Sequence, residues 1–258
     1  MRLTSLLIAT VLLASLAVPS ATADIDFEAV AARAFEAGRA AVDAGNDTVA
    51  LDHFERALRA KADDLRTGSE YRQAIIRLRA YDRAIAFFEE LVQKHPKAPN
   101  AHLNLGYAYV DKSPDEGAVT QVLLANTALE HFSAALEAEE TWLVRYTRGN
   151  SYLYWPPIFG RTQLGLVDLE RAIEIAETAE PRSYHVRAWV ALGDGHVRLG
   201  DLEAAHDAWN RGMKKYPNDG ELARRLSTED AQLETLVNDA YATDRRVDTD
   251  LSPIWKAD

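Results

Sequence analysis

The chain has 258 residues, 47% hydrophobic and 27% charged, with a formal net charge of −11. That apolar share is ample for a packed core and excludes long disorder, and the net acidity excludes a general nucleic-acid binder or a protein held on anionic lipid by charge. The sequence has no cysteine, which excludes disulfides, thiolate metal sites, thiol nucleophiles and a cysteine-linked lipid anchor.

The N-terminus carries the compartment signal. Arg2 precedes an apolar run of 13 residues, Leu6 to Val18, followed by Pro19, Ser20 and the small-residue stretch Ala21-Thr22-Ala23. This pattern predicts a secretory signal peptide over residues 1–23, cleaved before Asp24, with an uncleaved N-terminal anchor as the alternative. The run is short of the ~20 residues that a spanning helix needs, and no later stretch is long and apolar enough to span a membrane. Cleavage would remove Arg2 and no acid, taking the charge from −11 to −12. The expected location is therefore outside the cytoplasm, periplasmic or secreted.

Further along, one pattern recurs. Ala50-x3-Phe54-x2-Ala57 returns 34 residues later as Ala84-x3-Phe88-x2-Leu91, then as Ala128-x3-Phe132-x2-Ala135 and Ala205-x3-Trp209-x2-Gly212, with a weaker copy at Gly165-x3-Leu169-x2-Ala172. A second pattern precedes it: Leu105-Gly106-x2-Tyr109 before Ala128, and Trp189-x2-Leu192-Gly193-x2-His196 before Ala205. Gly38 lies two periods of 34 before Gly106, and Pro96 and Pro217 each fall eight residues after the aromatic of their unit. Between Tyr109 and Ala128 there are ~10 residues beyond the regular spacing, predicted to lengthen helices or their loop. A Trp155-Pro156-Pro157-Ile158-Phe159-Gly160 loop interrupts the next unit, where paired prolines end a helix. After Pro217 the pattern fades. Asp219 is placed to start a helix, Leu233, Leu236, Val237 and Ala240 form an apolar stripe, and the tail from Thr243 carries Leu251, Ile254 and Trp255, apolar enough to fold back on the body.

These residues resemble the tetratricopeptide repeat, W-x2-L-G-x2-Y then A-x3-F then P, in its exported bacterial form. The resemblance implies an all-α, right-handed α-solenoid of about five helix pairs with a C-terminal capping helix. The units fall at 24–64, 65–98, 99–140, 141–181 with the Trp-Pro-Pro loop, and 182–218, with capping helices and tail over 219–258. In each pair the small residues let two helices approach, and the aromatic fills the gap between neighbouring units. Arg72 departs from the pattern, standing where the second unit should have its glycine.

The family's ligand-facing positions fall here on Phe35, Arg39 and Asp43; Arg66, Gln73 and Arg77; Leu103, Tyr107 and Asp111; Tyr146, Asn150 and Tyr154; and Arg187, Asp194 and Arg198. Five arginines thus share the implied concave face of an acidic chain. One reading is a groove for an acidic or C-terminal peptide, since arginine's fork of donors matches a carboxylate. The other is that the arginines pair with Asp43, Asp111 and Asp194. The likeness to family members that clamp a C-terminal carboxylate is partial: Asn150 fits, but the lysines are missing. The Trp-Pro-Pro loop is similar to loops in other exported bacterial repeat proteins, and Trp155 and Phe159 are contact candidates if exposed.

No catalytic motif is present: no G-x-S-x-G, Walker loop or H-E-x-x-H. The seven histidines show no metal spacing, and His196 is expected in the core. Neither catalytic residues, cofactor nor metal are expected. The expected function is a non-enzymatic scaffold or escort in the cell envelope, binding a peptide or partner protein. The alternative is a periplasmic small-molecule or transporter-associated binding protein, for which an apolar lining around Leu103, Tyr107, Val110 and Tyr146 would speak.

Overall fold

The computed structural model describes residues 26–243 and 246–256, so the expected signal segment lies outside the described residues. Among the described residues twelve helices follow in series: α1 (Phe27–Asp43), α2 (Asp47–Ala60), α3 (Leu65–Leu78), α4 (Tyr81–Lys94), α5 (Pro99–Lys112), α6 (Ala118–Ala138), α7 (Trp142–Tyr152), α8 (Arg161–Thr178), α9 (Val186–Arg198), α10 (Leu202–Lys215), α11 (Gly220–Ser227) and α12 (Asp230–Ala240). The described residues contain no strand, and the architecture is an all-α solenoid. Six helices begin at a side-chain cap: Asp26, Asn46, Asp64, Thr141, Asp201 and Asp219 each accept a bond from the backbone N–H three residues on. Each such cap contributes about 1 kcal/mol.

The repeat spacing has a direct steric meaning. Phe54, Phe132 and Trp209 are fully buried, and each ring lies on the glycine of its own pair: Gly38, Gly106 and Gly193, where an added Cβ would collide with the ring. The aromatic expected to fill the gap between units therefore sits first inside its own pair. The second unit shows what happens without the glycine. With Arg72 at that position, α3 and α4 are the loosest of the consecutive pairs, and Tyr71, Phe87 and Phe88 fill the space with ring centroids 5.4–5.6 Å apart.

Across units, α3 packs on α5 and α7 on α9, whereas no two second helices of neighbouring pairs pack as closely. The first helices thus line the inside of the curve. The inner series is looser between α1 and α3 and again between α5 and α7, and this second break is bridged by a hydroxyl pair, Tyr107 Oη to Thr147 Oγ1 at 2.6 Å. The surplus sequence before this break forms a short 3-10 turn at Ser113–Asp115 and a 21-residue α6. The core divides near the same place, one apolar cluster running from Ala50 to Val144 and taking in Trp155, and another from Trp142 to Tyr241. At the C-terminus α12 packs on α9, and the chain then turns back so that Leu251 joins the first cluster.

Candidate partner-binding site

The inside of the curve over the second and third pairs is occupied by the chain's own tail. Arg72 is fully buried. Its Nε donates to Asn104 Oδ1 at 3.0 Å, Nη1 to Asp111 Oδ2 at 2.8 Å and Nη2 to the carbonyl of Thr249 at 3.0 Å, and its guanidinium lies 4.7 Å above the Tyr107 ring. Thr249 Oγ1 donates to the other oxygen of Asp111. Arg246 donates to the carbonyl of Asp111 at 2.7 Å and to Tyr81 Oη at 2.8 Å. Burial pushes the Asp111 carboxyl up, against the pull of Arg72 and Thr249.

Where α5 and α7 part, a cavity of about 640 Å³ opens. Its walls come from α5, α6, α7, the Trp-Pro-Pro loop and the tail. They are mainly apolar and aromatic, including Leu129, Phe132, Trp142, Tyr146, Tyr154 and Ile254. Trp142 and Tyr146 stack at 4.9 Å. Burial raises the phenols of Tyr107 and Tyr146 and pushes Tyr154 up to about 12, so all three are neutral donors at ordinary pH.

Two tetratricopeptide-repeat family models match, one over residues 73–125 and one over 186–228. The chain is a tetratricopeptide-repeat protein. Solved structures of the same architecture include a thermophilic repeat protein of Thermus thermophilus, TTC0263, at 20% identity over 76% of this chain and 97% of that one, TM-score 0.54. A repeat protein from Parabacteroides merdae ATCC 43184 is similar at 16% identity over 84% and 77%, TM-score 0.55. The MamA protein matches at 15% over 73% and 92%, TM-score 0.50. At these identities the likeness speaks of the fold alone.

The structure scatters the groove arginines of this repeat protein. Arg77 holds Asp47 through two bonds of 2.8 and 2.6 Å, and Asp43 is exposed. Arg66 stacks 5.0 Å over Phe35. Arg198 donates to the carbonyl of Trp155 at 3.1 Å and to Asn238 at 3.3 Å. Asp194 is buried against Arg225 at 2.5 and 2.7 Å, not against a groove arginine. Of the three acids of the implied face, Asp111 and Asp194 therefore do pair with arginines, but with Arg72 and Arg225. Leu103 is fully buried in the core, which withdraws it from any ligand-facing role. Arg39 and Gln73 are half-buried on the inner helices. Asn150 accepts from Tyr241 Oη at 3.2 Å, and with Tyr107, Tyr146, Tyr154 and Arg187 it lines the cavity. His196 is half-buried rather than enclosed.

The loop candidates separate. Trp155 is buried, with the Arg161 guanidinium 3.6 Å over its ring, while Phe159 is 64% exposed. Sequence reasoning missed Arg72, Arg225, Arg246 and Thr249. Only Arg72 gave a signal, as the residue that broke the glycine position. Among the described residues no helix is long and apolar enough to cross a membrane, and no group of three or more His, Asp or Glu side chains could hold a metal ion.

Proposed function

We propose that this protein is a non-catalytic interaction module, exported to the cell envelope, that holds a partner protein on an apolar rim. The observation that carries this reading is the exposure of Val119 and Leu123 on α6, Ile158 and Phe159 in the loop, and Leu164 and Val167 on α8, between 54% and 89% exposed. Most of the large exposed apolar side chains gather in these three segments, and Arg161 ties α8 to α6 by a 2.9 Å bond to Asn126. Exposed apolar side chains gathered on neighbouring segments mark a docking surface, and aromatics such as Phe159 dominate interface energetics. The inner face is the second place for a partner segment, which would have to displace residues 246–256. Its capacity for an acidic peptide is reduced, because Arg77 and Arg198 already have partners. Export rests on the residue 1–23 pattern.

The test uses a photo-reactive amino acid at Phe159 and, separately, at Gln73, in cells expressing the chain with its own N-terminus. The expected result is one discrete cross-linked partner from position 159, lost when Leu123 and Ile158 are both changed to Asp. Cross-linking from position 73 alone would move the partner to the inner face, and none from either would overturn the reading. Mass measurement of the periplasmic protein should show Asp24 as the first residue. A second reading, binding of a small apolar molecule, is favoured by the 640 Å³ cavity, which lies within the ~300–1,000 Å³ range of ligand sites.

A further inference from the structure

We propose that the cavity between α5, α6, α7 and the tail binds a single long-chain carboxylate, its acyl chain among the aromatic walls and its carboxylate on Arg187. The inference rests on the second reading above and names its ligand class. The space is too large for a packing defect: 640 Å³ would hold about 20 waters at ~30 Å³ each. A mainly apolar chamber of that size gains from an apolar occupant, because water inside it finds few polar partners.

The charge at one side selects the other end of the ligand. Two cations line the cavity, Arg161 and Arg187. Arg161 is engaged with Asn126 and the Trp155 ring. Arg187, in the first turn of α9 and half-buried, makes no ion pair with any described carboxylate. It lies within electrostatic reach of both the Tyr107 and Tyr146 phenols, whose ionisation it opposes burial to favour. The two acids on the lining, Asp248 and Asp250, face other groups. Asp250 accepts from the backbone N–H and hydroxyl of Ser252, both at 2.8 Å, and Asp248 accepts from the Asp250 N–H at 3.0 Å. The neutral phenols cannot balance a guanidinium. One planar cation with a fork of donors at the edge of an apolar chamber matches one carboxylate of unit charge, with the phenols as further donors.

The experiment is titration calorimetry of the delipidated mature chain with palmitate and, separately, with hexadecanol, for the native protein and for Arg187→Gln. Palmitate is expected to bind one to one. Arg187→Gln should weaken palmitate at least ~10-fold, the loss of one charge-assisted pair, and leave hexadecanol unchanged. Equal weakening of both ligands, or of neither, would overturn the carboxylate assignment while leaving apolar binding standing. Failure of both ligands to bind the native protein would remove the second reading as well. Quenching by a bromine-substituted fatty acid that falls on Trp142 and Trp155 and not on the other three tryptophans, as separated by single Trp→Phe changes, places the ligand. Saturable binding of that probe with no quenching would put it outside the cavity and overturn the proposal.

Discussion

Arg72 shows how one residue redirects a repeat. Its Cβ stands where other pairs have glycine, and its guanidinium reaches away from α4 to Asp111, Asn104 and Thr249. Removing one member of a buried ion pair leaves the other uncompensated, at a cost of about 3–5 kcal/mol. Arg72→Met should lower stability by about that much in urea unfolding, whereas the double change Arg72→Met with Asp111→Leu should lose far less. A second, half-buried contact sets a pH response. His102 Nε2 faces the carbonyl of Pro96 at 3.1 Å, so Nε2 must donate. By that assignment the bare Nδ1 accepts from His131 Nδ1 at 3.2 Å. Burial, then the neighbouring His102, hold His131 down to about 4 from the usual 6.5. Below pH 6.5 the unfolded chain therefore takes a proton that the folded chain refuses. Stability should fall as pH drops from about 6.5 to 4, by less than the ~1.4 kcal/mol per pH unit of a fully enclosed group because water screens the half-buried His131, and His131→Phe should flatten urea midpoints measured across that window.

At the scale of elements, the helix pairs were legible because their determinants are local: an alanine, an aromatic four positions on, and a glycine beneath the ring. Gly106 and Phe132 are 26 positions apart and occur in the same helix pair, so a periodic pattern announces them. The site was less legible. Counting from the glycines located Tyr107, Asn150 and Arg187 on the inner helices and Tyr154 just past the end of α7, but not that α5 and α7 part to make a chamber from them. The partners of the arginines were hidden too, since Arg77 finds Asp47 at the first turn of the preceding α2 and no spacing rule points there. Nor could the tail's path be read, because its contacts with Asp111 cross 135–138 positions without periodicity. That path makes a prediction about the element as a whole. Leu251 is 5% exposed, and Leu251→Asp should release residues 246–256. Hydrogen exchange should then rise in the tail and along α3 and α5, while α10 stays protected.

For the whole molecule, the split core matters most. A solenoid is held by nearest-neighbour contacts and can open in blocks. Here the two apolar clusters meet at α7, where the inner helices α5 and α7 do not pack closely. Native-state hydrogen exchange at rising denaturant should therefore resolve two cooperative blocks, α1–α6 and α8–α12, with α7 exchanging with the weaker. A single block with one opening energy throughout would contradict this.

The Arg72–Thr249 bond joins residues 177 positions apart. An ordinary stack of repeats can consolidate behind the ribosome or translocon, each pair settling on the one before. This one cannot finish its opening segment until Thr249 has been made, roughly 9–35 s after Arg72 at ~5–20 residues per second. Until then the guanidinium and Asp111 wait half-dressed, and any factor that shields newly made chains meets its strongest claim at the beginning of the protein, not its end.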